Sequence, residues 1–571
     1  MNRSKHSRAS LWFLACLNGT IYSNVCAAEP DWPMAGQNLG NTRFQGSETA
    51  ISPTTVSQLR PKWATELSGS VLATPAVDGG SVYVPDYAGF LYRIDAETGK
   101  IVWKFPVSNY SGINVPPENI DSSRVTPALT ETTLIFGTQS GGPQAAFGGH
   151  GLGPGAWLVA VNKRNGEPRW RSQVEKHPAA RINQPAVVYL DRVYVGITSW
   201  EETIAAITPD YPCCSFRGSV VAADRDTGKV IWQTYMAPEG YSGNALWGSS
   251  PVVDPKRNSL YITTGNNYML PRAAMECVAK VFEESPSNPT GAEKCYPLDN
   301  YFDAIVALDL ATGAVKWAYK TVPFDAHTHA CIAPRLNPRN CPSPRGSDYD
   351  FGQGPMLFTA GVPPRDLLGA GQKSGIFWAL NPDDGKLVWQ QTVGPGGMTG
   401  GIQWGSAVDG KRVYIAVANY EKTRWPLQRA GIPTGEFALR GFWSALDASS
   451  GRIEWQTSDP NAMEMDQGML TVANGVLFAG SMAGGNSNNN MFALEAASGK
   501  ILWRFPSIGS VASGAAVVNG RVYWGSGYLQ WGGTAGNQLF AFELMNVGKP
   551  LKAQATTQRT PVDARKLLPL W

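Results

Sequence analysis

The chain has 571 residues with 62 Gly, 41 Pro and 20 Trp, only 16% charged side chains and a net charge of +3. An apolar fraction of 43%, with 11% aromatic residues, excludes a disordered chain, and so small a charge excess excludes the concentrated basic face that nucleic-acid binding requires. No run approaches the roughly 18 to 20 apolar residues needed to span a bilayer, whereas the wealth of Gly and Pro predicts many turns and therefore many short strands.

The chain opens on what reads as a signal peptide over residues 1–28. Lys5 and Arg8 make a basic leader, residues 9–17 are mostly apolar, and Val25-Cys26-Ala27-Ala28 supplies small residues for cleavage. The mature chain, residues 29–571, is then expected in the periplasm or outside the cell. Its six remaining cysteines, an even number, suit disulfides. Cys277 with Cys295 and Cys331 with Cys341 each close a short loop rich in Pro, Asn and Ser, so neighbours are expected to pair. The adjacent Cys213 and Cys214 are different. Consecutive Cα atoms lie about 3.8 Å apart, closer than the usual disulfide separation, so the two either bond in a strained ring, pair elsewhere or stay free. No Cys-x-x-Cys-His occurs, so covalent haem is not carried on this polypeptide.

From residue 94 onward one phrase recurs: small apolar residues, Asp, Asn or Glu, a short turn, Gly, then two residues and Trp. It runs as IDAETGKIVW to Trp103, VNKRNGEPRW to Trp170 and AADRDTGKVIW to Trp232. It returns as ALDLATGAVKW to Trp317, ALNPDDGKLVW to Trp389, ALDASSGRIEW to Trp455 and ALEAASGKILW to Trp503. Each copy reads as a β-hairpin whose Gly takes the positive φ of a tight turn and whose return strand delivers Trp to a packing surface. The ends hold an eighth copy in two halves: LRPKWATEL with Trp63 near the start, and NQLFAFEL near the end. Joined, they close an all-β, eight-bladed propeller and remove the open edges that a toroid would otherwise leave. Successive tryptophans are 40 residues apart between 63 and 103 but 85 apart between 232 and 317, so the surplus chain forms long loops on the middle blades, where sites are usually built.

From DWPMAGQNLGNTRF (Asp31–Phe44) to the last blade the chain resembles the PQQ-dependent quinoprotein alcohol dehydrogenases, and in particular their polyvinyl alcohol dehydrogenase branch without a fused cytochrome domain. The Trp-ending hairpins resemble that family's tryptophan-docking motifs. PCCSFRGSV is similar to its vicinal-cysteine segment, which implies a Cys213–Cys214 disulfide stacked on one face of the quinone. ALWGSSPVVDP implies Trp247 on the other face. VGITSWEE resembles the strand ending in Ser-x-x-Glu, which implies Ser199 as a PQQ contact and Glu202 as a Ca²⁺ ligand, with Glu201 a rival at the next position. TTGNN implies Asn266 as a second ligand, a hard-oxygen set suited to Ca²⁺. Lys373 in GAGQKSGIFWAL resembles the basic residue that hydrogen-bonds the quinone oxygens, and Arg124 in DSSRVTPAL one that pairs with a PQQ carboxylate.

The base is where the pattern departs from the family. The family's Pro-x-Asp-x-Trp-Asp run is here VPFDAHTHAC, with His327 and Thr328 in place of Trp-Asp. DYDFGQGPML follows, and its relation to the next strand resembles the family's spacing, which implies that Asp348 or Asp350 is the base, Asp348 aligning better and serving also as a cation ligand. Asp350 then stands second in a D-x-D that lanthanide-using members also carry. The Cys331–Cys341 loop is read as an insertion that splits the segment. Asp325, His327 and His329 remain candidates for substrate contact or base. The resemblance implies oxidation of a secondary or bulky alcohol, small or polymeric, with electrons passed to a soluble cytochrome c. Two rival readings are a non-catalytic propeller scaffold of the outer-membrane assembly type and a sugar-binding propeller.

Overall fold

The computed structural model describes residues 31–112, 121–139, 152–248, 250–286, 289–332, 337–461, 465–485 and 489–545. The leader read in residues 1–28 lies outside them.

Eight antiparallel sheets follow one another around a ring, each built on four strands taken in chain order from the inside out. Ala76–Asp78, Ser81–Pro85, Phe90–Asp95 and Ile101–Pro106 make one such blade. Strands in the second position, such as Ser81–Pro85 and Ser259–Thr263, are buried along their whole length because a neighbouring blade covers each face. The outer strands are more open, made mostly of exposed and partly buried residues, as half-covered strands should be. The closing blade draws on both ends of the chain: Leu59–Glu66 pairs antiparallel with Gln538–Leu544, placing Trp63 opposite Ala541. Phe44–Gln45 adds a parallel strand to the blade before it, against Val472 and Ala473.

The repeated Gly and Trp belong to neighbouring blades. Gly99, Gly166, Gly228, Gly313, Gly385, Gly451 and Gly499 all have φ between +69° and +76°. A Cβ on any of them would come within 3.0 Å of an aromatic ring of the preceding blade: the docking Trp in six cases and Phe105 beside Trp103 in the case of Gly166. Each glycine therefore makes the turn and also opens the flat surface on which the previous indole lies. The indole N–H then donates to a carbonyl of that next turn, as in Trp63 to Ala96 (3.1 Å), Trp170 to Arg225 (2.9 Å) and Trp455 to Ala496 (3.0 Å). At the closing seam, Trp503 donates to Leu59 (3.0 Å) and meets Phe542 edge-on, with ring centroids 5.1 Å apart, where the other seams have glycine.

Antiparallel order fixes where the connections emerge. Turns joining first to second and third to fourth strands share one face, and all are tight, such as 78–81 and 309–315. Connections from second to third strand, and from each outer strand to the next blade, share the opposite face. Among them are residues 199–219, 263–304, 320–356 and 371–376. The vicinal cysteines, Glu202, Asn266, Asp348, Asp350 and Lys373 all lie on these connections. Trp247 and Arg124 lie on the outer-to-inner connections 235–252 and 106–128 of the same face.

Candidate active site

The strand Arg192–Ser199 runs straight into the helix Glu201–Ile207, and the Ser199 hydroxyl accepts from Glu201 N at 3.2 Å. The first turn separates two adjacent acids. Glu201 is fully buried and turns toward the segment after the vicinal cysteines. Glu202 keeps a fifth of its side chain accessible, and its Oε1 lies 3.8 Å from Nε2 of His329. Burial raises the Glu202 carboxyl, with His329 and Lys373 opposing and Asp350 reinforcing the shift. Of the two acids read as rivals, Glu202 is therefore the one that shares a field with Asp350 and Lys373.

Asn266 follows the strand Ser259–Thr263 and is buried. Its Nδ2 donates to the carbonyls of Asn267 (2.8 Å) and His327 (2.9 Å), which fixes the amide's orientation. Its Oδ1 accepts no hydrogen bond among the described residues. Its backbone N–H donates to Asp350 Oδ1 at 2.7 Å. Asp350 Oδ2 in turn accepts from Trp247 Nε1 at 2.7 Å and from Lys373 Nζ at 3.4 Å. Lys373 Nζ also donates to Asp348 Oδ1 at 2.9 Å, and the other oxygen of Asp348 lies 3.8 Å from His327 Nδ1. Burial lowers the Lys373 amine, but Asp348, Asp350 and Glu202 outweigh that and raise it, so it stays charged. Burial, helped by the carboxylates of Asp350 and Glu202, pushes Asp348 well above the usual range against the pull of Lys373. His327 is lowered to about 3, first by burial and then by His329 and Lys373, and is a neutral imidazole.

Asp325 holds the D-x-D segment in place. Its carboxylate accepts from the backbone N–H of Asp348 (3.1 Å) and of Tyr349 (2.7 Å). Gly346 N also donates to Ala326 O at 2.7 Å, so the two ends of the inserted loop meet. Burial raises Asp325 to about 6 against those two N–H donors. Asp303, fully buried beside it, is pushed far higher by burial and by Asp325 itself. Asp303 escaped the sequence reading because only the folded loops bring it to Asp325. The insertion, closed by the Cys331–Cys341 disulfide, is stapled to the acidic helix. Asn340 Nδ2 donates to Ala205 O (2.9 Å) and Tyr211 O (3.0 Å), Asn337 Nδ2 to Ala205 O (3.0 Å), and the Thr203 hydroxyl bonds His329 Nδ1 (2.8 Å).

Cys213 and Cys214 are bonded to each other across a cis peptide, and Cys277–Cys295 and Cys331–Cys341 pair as neighbours. Cys214 and Trp247 are both half-buried and border one apolar cluster that includes Phe216, Ala245 and Tyr268. Ser199 bonds the Tyr268 hydroxyl at 3.3 Å. Arg124 stands one ring further away: its guanidinium lies over Trp404 at 4.4 Å, and Trp404 meets Trp247 edge-on at 5.3 Å.

No group of three or more His, Cys, Asp or Glu side chains among the described residues is arranged to hold a metal ion. The set assembled here differs in kind, since it includes an amide. The oriented, otherwise unused Oδ1 of Asn266 and the acidic field of Glu202, Asp348 and Asp350 fit a hard divalent cation. The half-buried indole and disulfide present apolar surfaces beside one cluster.

A family model described as outer membrane protein assembly factor BamB (PQQ_2) matches residues 56–195, 152–319 and 440–546. A polyvinylalcohol dehydrogenase of Pseudomonas sp is 27% identical over 90% of this chain and 77% of its own. One from Sphingopyxis sp. (strain 113P3) is 28% identical over the same shares. The solved quinohemoprotein alcohol dehydrogenase ADHIIG from Pseudomonas putida HK5 superposes with a TM-score of 0.65 at 17% identity, covering 93% of this chain and 82% of its own, and shares the fold. The molecule is thus an eight-bladed β-propeller. The chain belongs to the PQQ_2 family and is an alcohol dehydrogenase of the PQQ-dependent kind, similar over 90% of its length to polyvinylalcohol dehydrogenases.

Proposed function

We infer that this chain oxidises a secondary or bulky alcohol to a ketone or aldehyde using PQQ and Ca²⁺, and passes the electrons to a soluble cytochrome c in the periplasm or outside the cell. The observation that carries the cation is Asn266, whose amide nitrogen is committed twice while its buried oxygen accepts nothing among the described residues. When bound, PQQ supplies the two-electron acceptor for the carbinol hydride, and the cation supplies the Lewis acid that polarises the quinone carbonyl.

The residues divide the remaining work. Glu202 and Asn266 hold the cation, with Asp348 at its edge. Trp247 and the Cys213–Cys214 disulfide flank the ring, Lys373 and Ser199 face its polar edge, and Arg124 pairs with a carboxylate. Asp350 commits one oxygen to Asn266 N and the other to Trp247 and Lys373, so it positions those groups. Among the described residues Asp348 has only Lys373 on one oxygen, and the other faces neutral His327, so it is the group free to take the substrate hydroxyl proton. Lys373 opposes the burial that raises that carboxyl. A lanthanide site recruiting Asp350 would have to break its bonds to Trp247 and Asn266, which favours calcium.

Asp348→Asn keeps the shape and removes the base. Turnover of a secondary alcohol with PQQ, Ca²⁺ and a dye acceptor should fall by at least about 1,000-fold. The PQQ absorbance of the loaded protein should remain. Wild-type turnover in this variant would overturn the assignment and move the base to Asp350.

A further inference from the structure

We propose that Glu201 is the positioning residue of the vicinal disulfide: its buried carboxylate clamps the backbone that leaves Cys214 and so holds the disulfide rigid as a wall of the site. This rests on the reading above, in which that disulfide faces PQQ.

The carboxylate collects donors from one short stretch. Oε2 accepts from Phe216 N at 2.7 Å and Ser215 N at 3.1 Å. Oε1 accepts from Ser215 N at 2.9 Å, the Ser215 hydroxyl at 3.3 Å and the Tyr211 hydroxyl at 3.0 Å. Residues on both sides of the cysteine pair are therefore tied to one fully buried group. His177 closes the ring from another connection: its Nε2 lies 3.0 Å from the Ser215 hydroxyl and 3.7 Å from Glu201, and its ring sits edge-on to Phe216 at 5.6 Å. Burial, with the negative carboxylate beside it, raises the Tyr211 phenol, so that proton stays to be donated.

The chemistry calls for Glu at this position. Two backbone N–H groups and a phenol converge on it, and a carboxylate accepts from all of them, whereas an amide turns its own donors toward some. Glu201 and Glu202 sit at successive positions of one helical turn and point apart. One helix thus sets both the wall and the cation ligand. The Asn337 and Asn340 staples fix the other end of that helix. A shift of the helix would move both elements together.

The test is Glu201→Gln in the full-length protein. A phosphine reductant followed by alkylation and peptide mapping reports each disulfide separately. Reduction of Cys213–Cys214 should quicken by about 10-fold, the loss of one charge-assisted bond. Cys277–Cys295 should react as in the wild type and serve as the internal reference. PQQ affinity in the presence of Ca²⁺ should weaken by a similar factor, while KM for the alcohol at saturating PQQ stays within about twofold. An unchanged Cys213–Cys214 rate overturns the proposal. A faster rate with unchanged PQQ affinity supports the clamp and overturns the placing of the disulfide against PQQ. Should the Gln variant not fold, Tyr211→Phe removes one donor and carries the same test, with an expected two- to threefold faster reduction.

Discussion

On one face of the toroid the strands are joined by turns of a few residues, and on the other by connections long enough to carry helices, a disulfide-closed loop and the whole candidate site. Both faces are made by the same strands. The turn face repeats because each Gly must make a left-handed turn and also receive an indole, and those two demands leave little freedom. The open face does not repeat, because it answers to one ligand at one place. Stability and chemistry are separated by strand direction, so substitutions on the two faces should fail differently.

The largest expected effect lies on the open face. Asn266→Ala removes the oriented amide oxygen proposed to hold the cation and leaves the scaffold's seams intact. Ca²⁺ affinity, read by cation titration of PQQ binding, should fall by about 100-fold, and the urea midpoint without cofactor should move little. An unchanged cation requirement would take Asn266 out of the cation site.

The turn face should show the reverse. Gly313→Ala places a methyl against the Trp232 ring and the Thr234 hydroxyl, at φ +72°. The left-handed backbone costs about 1–2 kcal/mol and the forced repacking a similar amount, for a loss of about 3 kcal/mol. Protein that folds at low temperature should keep wild-type kcat and Ca²⁺ dependence. A stability loss with full activity here, beside an activity loss with full stability at Asn266, would establish the division. Activity lost in both would break it.

The same division explains what could be read from residues alone. The ring was legible because its repeat is local in sequence: Gly and Trp are four residues apart in each copy, and the half copies at the two ends need only be joined. Cys213, Cys214, Trp247, Glu202, Asn266 and Lys373 are singled out through resemblance, since each stands in a short motif. The supporting shell was not legible. Glu201 next to Glu202 has no feature in the sequence that tells them apart, and their roles separate only when the helix turns one toward Ser215 and Phe216. Asp303 lies outside any motif that separates it from surface acids, and Asp325, although it stands in the VPFDAHTHAC stretch, becomes a support for the D-x-D segment only once the Cys331–Cys341 loop returns the chain to it. Arg124 was read as a cofactor partner with nothing to signal that it would lie over Trp404.

The smallest effect refines the turn face, where neighbouring blades are also joined by charge. Asp366 accepts from Lys256 and Arg257 of the preceding blade, both at 2.9 Å, and from its own neighbour Thr359 at 2.8 Å. Lys256 first, then Thr359 and Arg257, hold its carboxyl at about 2, against 3.8 in an unperturbed Asp. Because the folded value lies below the unfolded one, the bridge stabilises fully above pH 3.8 and is lost as pH falls toward 2. Solvent and salt screen a pair this near the surface, so the contribution at pH 7 is about 1 kcal/mol, well short of the full shift. Asp366→Asn should lower the urea midpoint by that amount at pH 7, and the gap from wild type should close between pH 4 and pH 2. High salt should narrow it at neutral pH, whereas the Gly313→Ala loss should not respond to salt. A gap that persisted below pH 2 would mean that Asp366 acts at this seam by its shape, as glycine does, and the charge would then have no part in joining the blades.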